Sequence, residues 1–268
     1  MPVDSLRLAL PKPGEVRVVS NASLFFDRWL ERQETGAGGS RAKDELLNKI
    51  VETSPSEVYR KAYERWKDLL GNQPNTAFAE MKVEGRLIVG LGGENVLEAG
   101  LTLHRIYGAP IIPGSALKGL SRHYAQQVLG SLQGCCELFA DEGYQGEYHR
   151  ILFGNTESAG YVNYLDAWYV PDSAPEDKPF VRDVITTHHP KYYQECSRWP
   201  WDFDDPNPVP FISVRGSFLV ATSGPSKDWA EFALKLLQQA LEDYGVGGKT
   251  SSGYGRLTVV EKVSAAEP

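Results

Sequence analysis

The sequence predicts an α+β fold: a ferredoxin-like (βαββαβ, RRM-like) domain with an N-terminal helical extension and two insertions. Three observations predict it. The hydrophobic period changes from helical to alternating near residue 77. Two strongly amphipathic stretches, 115–129 and 227–244, enclose two β-branched and aromatic runs. A last alternating run, 256–263, follows a glycine-rich connection. Strand, helix, strand, strand, helix, strand is the split βαβ order.

Residues 1–76 read as the helical extension. Leu24, Phe25, Trp29 and Leu30 sit at helical spacing in a first helix from Asn21 to about Glu34, which ends before Gly36-Ala37-Gly38-Gly39. A second helix runs from Ser40 through Leu46, Leu47 and Ile50. The third opens at Ser54-Pro55-Ser56-Glu57, with Ser54 as N-cap, Pro55 at the first helical position and Glu57 completing a capping box. Val58, Ala62, Trp66, Leu69 and Leu70 form its apolar face, and Gly71 ends it. In the domain 77–268, Met81, Val83, Leu87, Val89 and Leu91 alternate as the first strand. The first core helix carries Leu117, Leu120, Tyr124 and Val128. Residues 160–170 and 210–221 are the next strands. The second core helix has a stripe of Trp229, Phe232, Ala233, Leu236, Leu237, Ala240 and Leu241 and closes at Gly245. The insertions fall near 131–159 and 171–208.

Composition narrows the class. The 268 residues are 41% hydrophobic and 24% charged, an ordinary globular balance. No apolar run is long enough for a membrane span, and the first residues lack a signal-peptide core, so a cytoplasmic protein with no membrane partner is expected. Cys135, Cys136 and Cys196 are an odd set with two adjacent members, which suits a reducing compartment rather than a disulfide scaffold. The net charge of −7 is uneven: residues 131–210 hold five basic against fourteen acidic residues, and the remainder is +2. Nucleic acid, if bound, must meet a local basic surface.

Several motifs fail on inspection. Gly248-Lys249-Thr250 resembles the end of a P-loop, but Asp243 occupies the position of its first glycine and the segment runs from helix to strand. Gly90-Leu91-Gly92 has Asn95 in place of a third glycine. His188-His189 beside Cys196 points towards a metal, but Cys135-Cys136 lacks the two-residue gap that lets two thiolates face one ion, and no cofactor is implied. Two segments stand out. In Pro113-Gly114-Ser115-Ala116-Leu117-Lys118-Gly119-Leu120-Ser121-Arg122, Ser115 is the natural N-cap and Lys118 and Arg122 stack two cations on the first turns. A helix start carrying cations is favourable when an anion sits on it. Residues 245–256 place five glycines among Lys249, Thr250, Ser251, Ser252, Tyr254 and Arg256. Such a loop brings its backbone close to a ligand, offers cations and hydroxyls to phosphate, and presents Tyr254 as a face for a base.

Together these segments resemble the RAMP superfamily of CRISPR effector proteins, whose hallmarks are a ferredoxin-like fold, a P-G-S-x-L-K-G helix start and a C-terminal glycine-rich loop. Residues 89–120, 183–193, 208–214 and 245–257 are similar to one branch, the sixth subunit of the type III-B Cmr complex. The resemblance covers about 81–263. One departure is Thr187, where that branch usually has proline before His188. The resemblance implies a non-catalytic structural subunit that caps the backbone filament at the crRNA 3′ region, with crRNA, target RNA and neighbouring Cmr RAMP subunits as partners. Ser115, Lys118, Arg122, Lys249, Thr250, Ser251, Ser252, Tyr254 and Arg256 are then the expected RNA contacts, as one surface if the two segments lie side by side. Asp183 is the residue that tempts a nuclease reading. The alternative is a metal-independent crRNA-processing endoribonuclease using His104, His123 or His188. A third reading is a protein-interaction module. For the insertion 171–208, seven prolines with Tyr192, Tyr193, Trp199, Trp201 and Phe203 around Asp202, Asp204 and Asp205 predict contacts with neighbouring subunits, shared with the helical extension.

Overall fold

The computed structural model describes residues 21–28, 30, 41–93, 97, 99–131, 146–187 and 207–260. Three helices open it: α1 (Ala22–Arg28), α2 (Arg41–Val51) and α3 (Glu57–Asn72). There follow β1 (Thr76–Val83), β2 (Ile111–Ile112), α4 (Gly114–Gln127), α5 (Glu147–Phe153), β3 (Asn163–Tyr164) and β4 (Ala167–Tyr169). Then come β5 (Phe180–Thr187), β6 (Asn207–Val214), β7 (Ser217–Ser223), α6 (Lys227–Asp243) and β8 (Leu257–Val259). The main sheet runs β2-β4-β7-β1-β8 with every neighbouring pair antiparallel, and β3 also pairs with β7. A second, two-stranded sheet pairs β5 with β6 from Phe180↔Val214 to Thr187↔Asn207.

The buried stripe of α6 (Ala230, Leu234, Leu237, Leu241) meets Ala77, Met81 and Val83 of β1 and Leu257 of β8. These positions alternate on β1 and recur every three or four residues on α6, so two unlike periods present one matched apolar surface. A second cluster joins Tyr124 and Ala125 of α4 to Leu152 and Phe153 of α5 and to Ala233, Leu236 and Ala240 of α6. On β4, Trp168 stacks against Tyr59 and Trp66 of α3, each at 5.8 Å between ring centroids. The Tyr59 hydroxyl donates to the Tyr169 carbonyl at 2.6 Å.

The structure corrects several expectations. The cap of α3 is Ser56 rather than Ser54: its Oγ accepts from the Tyr59 N–H at 3.2 Å. The buried face of α3 is Tyr59, Ala62, Tyr63 and Leu70, while Val58 is 64% and Leu69 48% exposed. Large rings that meet Trp168 bury more area than a valine and a leucine, and the helix turns accordingly. The first strand stops at Val83, because Gly85 takes φ +78 and turns the chain, and Leu87 returns only as an isolated bridge to Val214. The run 160–170 is two short strands. The run 210–221 is divided at Gly216 between two sheets. Gly216 has φ +108, and a Cβ there would lie 2.7 Å from Cε2 of Tyr169, so the break needs glycine. The hairpin partner β5 falls inside the stretch 171–208 that the sequence marks only as an insertion. His188, His189, Cys135, Cys136, Cys196 and the aromatic and acidic residues 192–205 lie outside the described residues.

Candidate nucleic-acid interface

Helix α4 begins two residues earlier than a cap at Ser115 implies. Pro113 is the N-cap, Gly114 the first helical residue, and neither supplies a side-chain cap. The cap comes from far along the chain: Asp166, between β3 and β4, accepts from the Gly114 N–H at 2.7 Å. The anion that this helix start favours is therefore already supplied by the protein. Gly114 is required for the approach, since a Cβ there would lie 2.1 Å from the Tyr164 carbonyl oxygen. Ser115 is exposed. Lys118 is half-buried, and among the described residues no carboxylate pairs with it. Arg122 is half-buried and engaged.

The glycine-rich loop is framed rather than slack. Gly248 N–H donates to the Ile88 carbonyl at 2.8 Å and Gly255 N–H to the Arg86 carbonyl at 2.7 Å. Between these ties Lys249 is left-handed (φ 61), Thr250–Ser252 form one 3-10 turn, and Gly253 is left-handed again. Ser251 and Ser252 are exposed, and Lys249 and Thr250 are half-buried. No carboxylate among the described residues pairs with Lys249. Arg256 is exposed, with Nη1 3.4 Å from the Glu242 carbonyl. Tyr254 is not a free face. Its ring packs in a half-buried site beside Phe211, and its hydroxyl donates to Asp183 Oδ2 at 3.1 Å. Burial, then the Asp183 carboxylate, push its phenol above the ordinary range.

The two segments are held by different neighbours. The helix start rests on Tyr164 and Asp166, whereas the loop rests on Arg86, Ile88 and the β5–β6 hairpin. Their adjoining strands, β2 and β8, are opposite edges of the sheet. Where α4 meets the C-terminal end of α6, the hydrogen bond is from Tyr124, whose hydroxyl donates to Asp243 at 2.8 Å. Ten residues of helix, about 15 Å, separate it from Gly114. Leu120 and Tyr124 face α6, while Lys118 and Arg122 lie on another side of α4. The structure thus presents two separate basic patches in place of one continuous surface. The histidines also separate. His104 packs between Tyr107 and Trp168, and His123 lies 5.6 Å from the Tyr244 ring.

Sequence reasoning missed Asp166, Arg86 and the part played by Asp183. No local signal marks Asp166 as a cap, because it stands 52 residues from its partner. Asp183 accepts from Ser213 Oγ at 2.5 Å as well as from Tyr254, and lies 3.9 Å from Arg86 Nε.

An antiparallel sheet carrying α4 and α6, with a glycine-rich loop before its last strand, is matched by the family model of the RAMP superfamily over residues 80–258, and the chain belongs to that superfamily. Within it, the chain is similar to the CRISPR system Cmr subunit Cmr6 of Pyrococcus furiosus, 32% identical across 91% of this chain and 96% of the relative. Cmr6 of Saccharolobus solfataricus is 26% identical across 74% of this chain and 63% of its own length. A chain from the cryo-EM structure of the type III-B Cmr-beta complex bound to cognate target RNA shares the fold. Its TM-score is 0.63 at 22% identity, over 82% of this chain and 71% of that one. Among the described residues no helix is long and apolar enough to cross a membrane.

Proposed function

We propose that this chain is a non-catalytic, RNA-binding structural subunit of a cytoplasmic type III-B Cmr complex, capping the backbone filament at the crRNA 3′ end. The observation that carries the reading is the likeness to Cmr6 along nearly the whole of both chains. Its partners are crRNA, target RNA and neighbouring Cmr subunits. The antiparallel order β4-β7-β1-β8, with α4 and α6 as the crossovers, supports a ferredoxin-like domain at 77–268, with 1–76 as the helical extension and insertions near 131–159 and 171–208. Among the described residues His104 and His123 contact different elements and form no acid–base pair, which lends the endoribonuclease reading no support; its third candidate, His188, lies outside them.

RNA contact centres on Lys249, Thr250, Ser251, Ser252 and Arg256, with Tyr254 at the rim of the loop and Ser115, Lys118 and Arg122 as a second patch. Phosphate contacts position a strand without reading its bases, which suits a subunit that must accept many guides. Each neutralised phosphate of single-stranded RNA contributes a slope of about −0.7 to log K against log salt. Because the two patches are separate, their effects add. Lys118→Ala and Lys249→Ala are each expected to flatten the slope by about 0.7, and the double variant by about 1.4, equally for unrelated guide sequences. Titration of labelled RNAs at several salt concentrations checks this. An unchanged slope in a folded double variant places the RNA elsewhere. Cleavage of repeat RNA in EDTA, abolished by one histidine substitution, overturns the scaffold reading.

A further inference from the structure

The glycine-rich loop carries the exposed hydroxyls and cations, yet its sequence alone leaves it free to move. Two backbone hydrogen bonds, to Arg86 and Ile88, tie its ends. The side-chain tie is Asp183. This residue sits on β5, 71 positions before Tyr254, with its side chain 22% exposed. One of its oxygens, Oδ2, takes the Ser213 hydroxyl from β6, the Tyr254 hydroxyl from the loop, and the nearby charge of Arg86. The Tyr254 ring is seated against a cluster of Ile88, Ala99 and Phe211. A carboxylate in this position is spent on holding hairpin and loop together.

We propose that Asp183 is a positioning residue: by clamping Tyr254 to the β5–β6 hairpin it preorganises the Lys249–Ser252 turn that grips RNA. The inference rests on the RNA-binding reading above. Preorganisation acts because a turn already ordered loses less conformational freedom when it binds. Asp183 itself repels phosphate, so it touches no RNA. Losing it therefore weakens binding without removing a phosphate contact, and the salt slope stays that of the parent. Hydrogen bonds to a charged acceptor imply a loss of about tenfold in RNA affinity.

The test uses the full chain with labelled single-stranded RNA of mixed sequence, and follows amide exchange in the loop by mass spectrometry. Asp183→Ala and Tyr254→Phe are each expected to weaken binding by about tenfold at unchanged slope, and to speed exchange across 249–255. The double variant is expected to be no weaker than either single one, because both break the same clamp. Asp183→Asn, which keeps an oxygen to accept from Tyr254, restores most of the loss. Should Asp183→Ala fail to fold, Tyr254→Phe carries the same comparison. Tighter binding by both Asp183 variants would make Asp183 a mere repelling charge and overturn the proposal, as would unchanged affinity. A parent chain that binds no RNA overturns the RNA reading and the affinity claim together; faster loop exchange in Asp183→Ala would then still uphold the clamp.

Discussion

His104 lies edge-on to Trp168, 5.1 Å between ring centroids, and 4.6 Å from the Tyr107 ring. Burial there holds its imidazole below the ordinary 6.5, against the opposing pull of the Asp166 carboxylate. The folded chain thus releases this proton more readily than the unfolded chain does. Between the lowered value and 6.5 the unfolded chain binds more protons, so stability rises with pH across that window. It is complete above 6.5 and is lost as pH falls. His104→Gln is expected to lessen this dependence. Urea midpoints of both proteins at mildly acidic and neutral pH check it: equal changes in parent and variant would assign the dependence to other groups.

At the scale of elements, the start of α4 shows how a helix is terminated from a distance. Asp166 caps the Gly114 N–H, while Gly114 lets the backbone of 164–165 pass against the helix. Replacing the cap by alanine costs about 1 kcal/mol, as N-cap losses do. Gly114→Ala forces a side-chain carbon to within 2.1 Å of the Tyr164 carbonyl oxygen, and is expected to cost about 3 kcal/mol. Denaturant midpoints at unchanged slope measure both. A smaller loss for Gly114→Ala than for Asp166→Ala would show that the β3–β4 link yields.

For the whole molecule, the decisive contact is α3 against the sheet. Arg60 of α3 pairs with Asp172 at 2.5 Å and with Asp177, whose side chain is 9% exposed. Asp177 also accepts from the Tyr169 hydroxyl at 3.1 Å and the Asp172 N–H at 2.8 Å. Burial lifts its carboxyl above the usual range; its hydrogen bonds and the Arg60 charge pull it back. A helix from the extension, the last residues of β4 and the loop before β5 thus share one acceptor. Asp177→Ala leaves these donors unmatched and is expected to cost about 3 kcal/mol. Asp172→Ala, at a side chain 71% exposed, is expected to change stability little. Equal effects of the two in denaturation would show that burial does not set the strength of this contact.

The sequence by itself determined the elements whose pattern is long and local: α2, α3, α4, α6, the onset of β1 and the glycine-rich loop. Repeated apolar positions and turn residues suffice there, because the interactions that form these elements lie within a few residues. It determined the superfamily too, through two motifs with unusual chemistry. Only the tertiary structure decided where the strands break, which face of α3 is buried, what caps α4 and how far apart the two basic patches lie. Gly216, Asp166 and Asp183 act on partners 30 or more residues away, and no local spacing encodes such a pairing. The residues proposed for RNA contact can be named from the sequence. Their division into two patches, and the clamp that shapes one of them, arise from packing.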